Sequence, residues 1–380
     1  MTFALTSEHE TFRRSVREFA EAEIAPHVAK WDKDHHFPID LVTKMGDLGL
    51  FGLTAPEEFG GADGDFTSLC VAIEELGRVD QAIGVTLEAG VGLGINPILT
   101  FGTAEQKERW LPDLVAGQAL AGFGLTEPGA GSDAGATKTK AVLDGDEWVV
   151  NGAKQFITNS GSEITSVVTV TARTGTKDDG RAELSTIMLP AGTPGFIVEP
   201  AYDKLGWHIS DTHPLSFVDA RVPFDHLLGQ RGRGYAQFLA TLDDGRVAIA
   251  ALAVGCIQAC LDLCVKYAGE RTTFGVPIGT KQGVAFQISD LAVMGPEAAV
   301  NAVYAAKIEA IDDPAERSAY VAARRSEYEQ DVDLERLVSD LVLDGVVEPH
   351  DLRDELVRRF RYAAGRDRTF SDRRHGVPPV

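Results

Sequence analysis

Gly124-Leu125-Thr126-Glu127-Pro128-Gly129-Ala130-Gly131-Ser132-Asp133 ends an apolar run that begins at Leu120. Three glycines, two hydroxyls and two carboxylates fall within these ten residues. Glycine admits backbone conformations barred to other residues and leaves amides open to a ligand. Amides and hydroxyls in such a loop can hold an anionic cofactor. Read alone, the stretch is a polar turn. It lacks the Gly-x-Gly-x-x-Gly spacing of a dinucleotide fingerprint and the Gly-Lys-Ser/Thr of a Walker loop. It also marks a change of period, from helix before it to strand after it.

Upstream the pattern is helical. Phe12, Val16, Phe19, Ala20 and Ile24 recur at three and four within 7–32, with Thr6 or Ser7 and Glu10 as a capping box. Pro38 opens a second helix that ends near Gly49. Residues 66–78, 81–101 and 103–115 read as further helices, the last capped by Thr103 with Gln106 three residues on. Residues 1–119 therefore predict an all-helical domain. Downstream, 141–150 alternates around Asp144-Gly145-Asp146, a hairpin signal. Segments 166–172, 184–189, 195–199 and 215–222 also read as strands, so 120–232 predicts a small antiparallel β-barrel or sandwich. Residues 234–269 read as one long helix and 280–294 as the start of another, the first helices of a C-terminal bundle over 233–291. The fold class is α+β and multidomain.

A chain of 380 residues suits two or three domains. Its formal net charge of −21 argues against nucleic acid and anionic membrane surfaces as partners. Cys256, Cys260 and Cys264 form one helical stripe, and neither they nor Cys70 sit in a metal-binding spacing. They are expected as buried packing residues in a reduced cytosol. Met1 to Thr11 shows no secretory pattern, and no run of about 18 apolar residues is read, so the expectation is a cytoplasmic protein without a membrane span.

Three further motifs follow the opening stretch. They are Asn151-Gly152-Ala153-Lys154-Gln155-Phe156-Ile157-Thr158-Asn159; Lys204-Leu205-Gly206-Trp207 through Asp211-Thr212; and Asp243-Asp244-Gly245-Arg246 followed by Tyr267, Arg271, Thr273-Phe274-Gly275 and Gln282. In this order they resemble the acyl-CoA dehydrogenase family, over about the first 290 residues. The resemblance implies a helical domain, a β domain and a helical bundle, with FAD in the cleft between the last two. It implies removal of an α proton by a carboxylate and of a β hydride by N5 of FAD, the thioester carbonyl being polarised by hydrogen bonds.

By that resemblance Phe123, Leu125 and Thr126 line the flavin ring, and Gly131 and Ser132 lie along the flavin or the thioester chain. Phe156 and Thr158 cover the ring. Many relatives carry Trp at the position of Phe156. Arg271, Thr273, Phe274 and Gln282 reach the cofactor of a neighbouring subunit, which makes a homotetramer or other oligomer part of cofactor binding. Asp243 and Arg246 face the CoA side or, three apart on a helix, pair with each other. His208 stands where relatives often have Arg and receives no catalytic role. The acyl pocket floor depends on helix packing around 87–95 and 239–253. The family's usual electron acceptor is an electron-transferring flavoprotein.

The resemblance stops near Ala292. The family's Gly-Gly-x-Gly stretch and its Glu-Gly-Thr turn, whose Glu is the usual base, are absent from the last third. Some relatives carry the base two residues after Asp243; here that position is Gly245. The catalytic base is unassigned, and Glu327, Glu329 and Glu335 are candidates. Residues 292–380 instead resemble the end of the carboxyltransferase subunit of biotin-dependent acyl-CoA carboxylases. This likeness rests on 292–304, Tyr328-Glu329, Val346-Val347-Glu348-Pro349 and Ser371-Asp372-Arg373-Arg374-His375-Gly376. Arg358 to Arg374 is basic, a solvated face or a dock for an acidic partner. Three readings stand: an FAD-dependent acyl-CoA dehydrogenase with a relocated base, an inactive binding or assembly subunit, and a carboxylase-associated protein.

Overall fold

The computed structural model describes residues 5–292 together with positions 313, 316, 319–321 and 323. Glu327, Glu329, Glu335, the basic run from Arg358 and almost all of the carboxyltransferase-like tail lie outside the described residues. The chain divides into two compact units, one built on residues 5–256 and one running on from Ile257.

The first unit begins with helices α1 (Ser7–Phe19), α2 (Val28–Asp34) and α3 (Ile39–Asp47). The single helix expected over 7–32 is thus broken. A π-helical turn occupies Ala20–Ile24, and Pro26, which lacks an N–H and clashes with the preceding turn, separates it from α2. The expected capping box is also altered. Thr6 is the N-cap and accepts from the His9 amide, so His9 and not Glu10 occupies the reciprocal position.

Helices α4 (Phe66–Val79), α5 (Gln81–Glu88), α6 (Asn96–Phe101) and α7 (Ala104–Val115) complete the helical part. Asp80 caps α5 by accepting from the Ala82 and Ile83 amides, and Thr103 and Gln106 form the expected box at α7. A π-helical segment over Ala89–Ile95 joins α5 to α6. Its glycines allow close approach: a Cβ at Gly90 would meet the Phe51 ring at 2.6 Å, and one at Gly94 would meet Ala121 at 3.1 Å.

The β region carries β1 (Leu120–Gly124), β2 (Lys140–Asp144), β3 (Glu147–Thr158), β4 (Thr165–Thr176), β5 (Ala182–Pro190), β6 (Phe196–Val198), β7 (Thr212–Pro223) and β8 (Leu227–Leu228). The path runs β6-β7-β3-β2-β4-β5-β8, with β1 beside β4. The sheet is mostly antiparallel, but β1–β4 and β2–β4 are parallel. With the β2–β3 hairpin inserted after it, β1 enters the sheet in the direction of β4. That hairpin turns on Gly145-Asp146, and Gly145 has φ +67°, as a two-residue turn with glycine first requires.

Helix α8 (Gly234–Glu270) leaves the first unit and continues into the second. Its Ala248 and Leu252 are buried with Leu69, Leu76 and Leu87 in the helical core. Trp148, Val150, Val168, Ile187 and Phe217 form a separate core in the sheet. In the second unit β9 (Thr272–Thr273) and β10 (Val276–Pro277) make a hairpin before α9 (Gln282–Ala292).

No stretch of 18 consecutive apolar residues occurs, but by length and composition alone helices 81–101 and 234–270 are apolar enough to cross a membrane. The first is a core helix, 78% of its most apolar window being buried within the protein. Cys260 and Cys264 are exposed, not buried, because they lie on a part of α8 that the described residues leave uncovered.

Candidate active site

The glycine-rich loop after β1 is fastened from below. Glu127 is buried, and its carboxylate accepts from the Lys138 amide at 2.7 Å, the Thr139 amide at 3.1 Å and Lys154 Nζ at 2.8 Å. Lys154, fully buried in β3, also donates to the Leu125 carbonyl and to Thr171 Oγ1. Burial pushes the Lys154 ammonium down to about 8 against the pull of Glu127. Burial raises the Glu127 carboxyl, but Lys154 and the two amides outweigh it and hold it below its ordinary value. Both residues stand within the two motifs, and their pairing joins positions 27 residues apart, which spacing alone does not reveal.

The loop and β3 are also joined along the backbone, where the Gln155 amide donates to the Thr126 carbonyl at 2.8 Å. Next comes Phe156, at φ +61° in a register break of β3, with 60% of its surface exposed. A bulky residue in the left-handed region is a strained outlier of the kind that gathers at functional sites. The bulge turns the ring outward. It lies 4.9 Å from the Tyr202 ring. The buried Tyr202 hydroxyl has no hydrogen-bond partner among the described residues.

The third motif locks the end of β3. Thr158 pairs with Thr212, and the Asn159 amide donates to the Asp211 carbonyl. Asp211 accepts from the Gly161 amide and bonds His213 Nε2 at 2.8 Å, which raises the His213 pKa despite burial. Asn159 reaches the helical region through the Thr86 carbonyl. His208 stacks on His35 and contacts Asp32, a structural role.

Three of the four motifs therefore converge within the first unit. Leu125, Thr126 and Thr158 are half-buried beside the open loop, and Gly131 and Ser132 face solvent, nothing lying within 4 Å of a Cβ at Gly131. Phe123 stacks on Phe238 of α8, centroids 3.9 Å apart. The fourth motif divides. Asp243 and Arg246 are exposed and pair with each other. Arg271, Thr273, Phe274 and Gln282 belong to the second unit, where Phe274 tops the β9–β10 hairpin almost fully exposed.

A cavity of about 180 Å³ lies where α4, the α5–α6 segment and α8 meet, lined by Leu69, Glu88, Val91, Leu99, Gly245 and Ala248 among others. The α5–α6 segment and α8 are the two expected to set the acyl pocket floor; α4 adds Phe66 and Leu69. Glu88 was not singled out from sequence. The signal available was one carboxylate inside the apolar run 82–95.

An exposed ring face, an open glycine loop and an unsatisfied buried hydroxyl beside them fit a flat, polar-edged cofactor such as FAD. Comparison with known proteins agrees. The acyl-CoA dehydrogenase N-terminal, middle and C-terminal domain families match residues 6–118, 122–220 and 232–324, the last running past residue 291 where the sequence resemblance was read to end. The chain is 47% identical over 293 residues to a probable acyl-CoA dehydrogenase of Bacillus subtilis, covering 77% of each. It is similar to butyryl-CoA dehydrogenase of Megasphaera elsdenii, with TM-score 0.76, 36% identity and 88% of each chain covered. It is also similar to an acyl-CoA dehydrogenase of Bacillus anthracis complexed with FAD, with TM-score 0.74, 31% identity, and 85% of this chain and 56% of that one covered. The chain belongs to the acyl-CoA dehydrogenase family, whose FAD-dependent reaction is the α,β-dehydrogenation of an acyl-CoA.

Proposed function

We propose that the chain oxidises short acyl-CoA thioesters in the cytoplasm, as a homo-oligomer that passes electrons to an electron-transferring flavoprotein. The observation that carries the site is the convergence of three motifs on one loop beside the exposed Phe156. The small cavity and the butyryl-CoA named for the Megasphaera relative support a short acyl chain. Residues 1–119, 120–232 and 233–291 serve as the helical, β and bundle domains, with 292–380 as an added tail.

When bound, FAD supplies the two-electron acceptor. Phe156 offers a ring face to it, Thr158 a hydroxyl at its edge, and Phe123, Leu125 and Thr126 its near wall. Gly131 and Ser132 leave room for the thioester chain or flavin. Arg271, Thr273, Phe274 and Gln282 act from a neighbouring subunit, where the guanidinium fork of Arg271 suits a pyrophosphate. Arg246, released from Asp243, contacts CoA. A carboxylate takes the α proton.

Anaerobic titration of the purified protein with butyryl-CoA, followed at the visible flavin band, tests this reading. Bleaching is expected. A second reading, an inactive binding or assembly subunit or a carboxylase-associated protein, is favoured by the absence of any Glu-Gly dipeptide after Gly295. A protein that binds flavin and acyl-CoA but leaves the flavin oxidised would select it.

A further inference from the structure

Glu88 ends α5 where the helix widens into its π-helical segment, and its side chain lines the cavity against α8. It is 3% exposed, and burial is the one influence on its carboxyl, no charged or hydrogen-bonding neighbour among the described residues acting on it. Burying a carboxylate without a partner is costly, and such a group in a folded protein calls for an explanation, a catalytic role being one. Its Oε1 lies 3.3 Å from where a Cβ on Gly245 would stand, and that Cβ would have no other neighbour closer than 4.0 Å. The missing side chain at 245 thus leaves room that the Glu88 carboxylate faces. Asp244, the other titratable residue lining the cavity, is exposed at its rim.

We propose that Glu88 is the base that removes the substrate α proton, its carboxylate entering the acyl cavity through the space left by Gly245. The inference rests on the dehydrogenase reading above. The α C–H bond breaks and its proton passes to Glu88 Oε1. The freed electron pair becomes the Cα–Cβ π bond, and the β hydrogen would leave with its own pair to FAD, which when bound would supply the acceptor for the two electrons the acyl chain loses. Burial alone pushes the Glu88 carboxyl up to about 7, a value suited to a general base near neutral pH.

The test is single-turnover, anaerobic flavin reduction by butyryl-CoA in wild type, Glu88→Gln, Asp244→Asn and the double variant Glu88→Gln/Gly245→Glu. Glu88→Gln is expected to keep its flavin and its butyryl-CoA affinity while the reduction rate falls at least about a hundredfold. The double variant, with a carboxylate grown from the facing helix, is expected to recover at least tenfold of that loss. The wild-type rate should rise with pH through a group near 7, a rise that Glu88→Gln lacks. Washout of α-deuterium from deuterated acetyl-CoA, which has no β hydrogen, reads the base without hydride transfer and should vanish in Glu88→Gln. Bleaching of Glu88→Gln at the wild-type rate, or loss in Asp244→Asn alone, overturns the role of Glu88 and leaves the dehydrogenase reading standing. A wild type whose flavin never bleaches overturns both.

Discussion

At the scale of single residues, two buried charges set the site. Lys154 and Glu127 hold each other and the glycine loop in place of solvent. Removing one partner of such a pair strands the other, which costs roughly 3–5 kcal/mol. Lys154→Met should therefore lower the urea midpoint strongly and release flavin with it. Glu88 has no partner, and its stability effect has the opposite sign. Its folded pKa, about 7, lies above the ordinary 4.5, so the unfolded chain ionises first. Stability from this group is full below about pH 4.5 and is lost as pH rises through about 7. The shift corresponds to a loss on the order of 3 kcal/mol. Glu88→Gln should flatten the thermal midpoint across that window, as a pH series of melts would read.

At the scale of elements, the caps and glycines decide where helices begin and how closely they pack. Asp80 both ends α4 and caps α5 with two amides, so it fixes the start of the helix that carries Glu88. Asp80→Ala should destabilise by about 1 kcal/mol in chemical unfolding, since an N-cap is worth that much. The Thr103 box was readable because its four residues are contiguous. The break after α1 was missed because the apolar spacing continues through Pro26 while the backbone cannot. The strain at Phe156 was not readable either, since the register of β3 against β7 creates it.

At the scale of the whole molecule, α8 carries an apolar surface that the described residues leave largely uncovered. Val247, Ile249, Val254, Leu263 and Val265 each expose more than 40% of their surface. Burying such a face is worth about 25 cal/mol per Å². The proposed oligomer would give it a partner. Light scattering should find a species larger than the 40.8 kDa chain, and Leu263→Asp should shift it towards the monomer.

The order of helical, β and helical segments, the glycine loop and the motif residues were legible in the sequence, since each depends on neighbours within a few positions. The period of apolar residues, a capping side chain or a two-residue turn needs no distant partner. Tertiary structure alone decided that Lys154 meets Glu127 and that Glu88 faces Gly245 across a cavity. Those contacts join residues remote in the chain. Burial and the loss of water around a charge, which give Glu88 its character, exist only once the helices have packed.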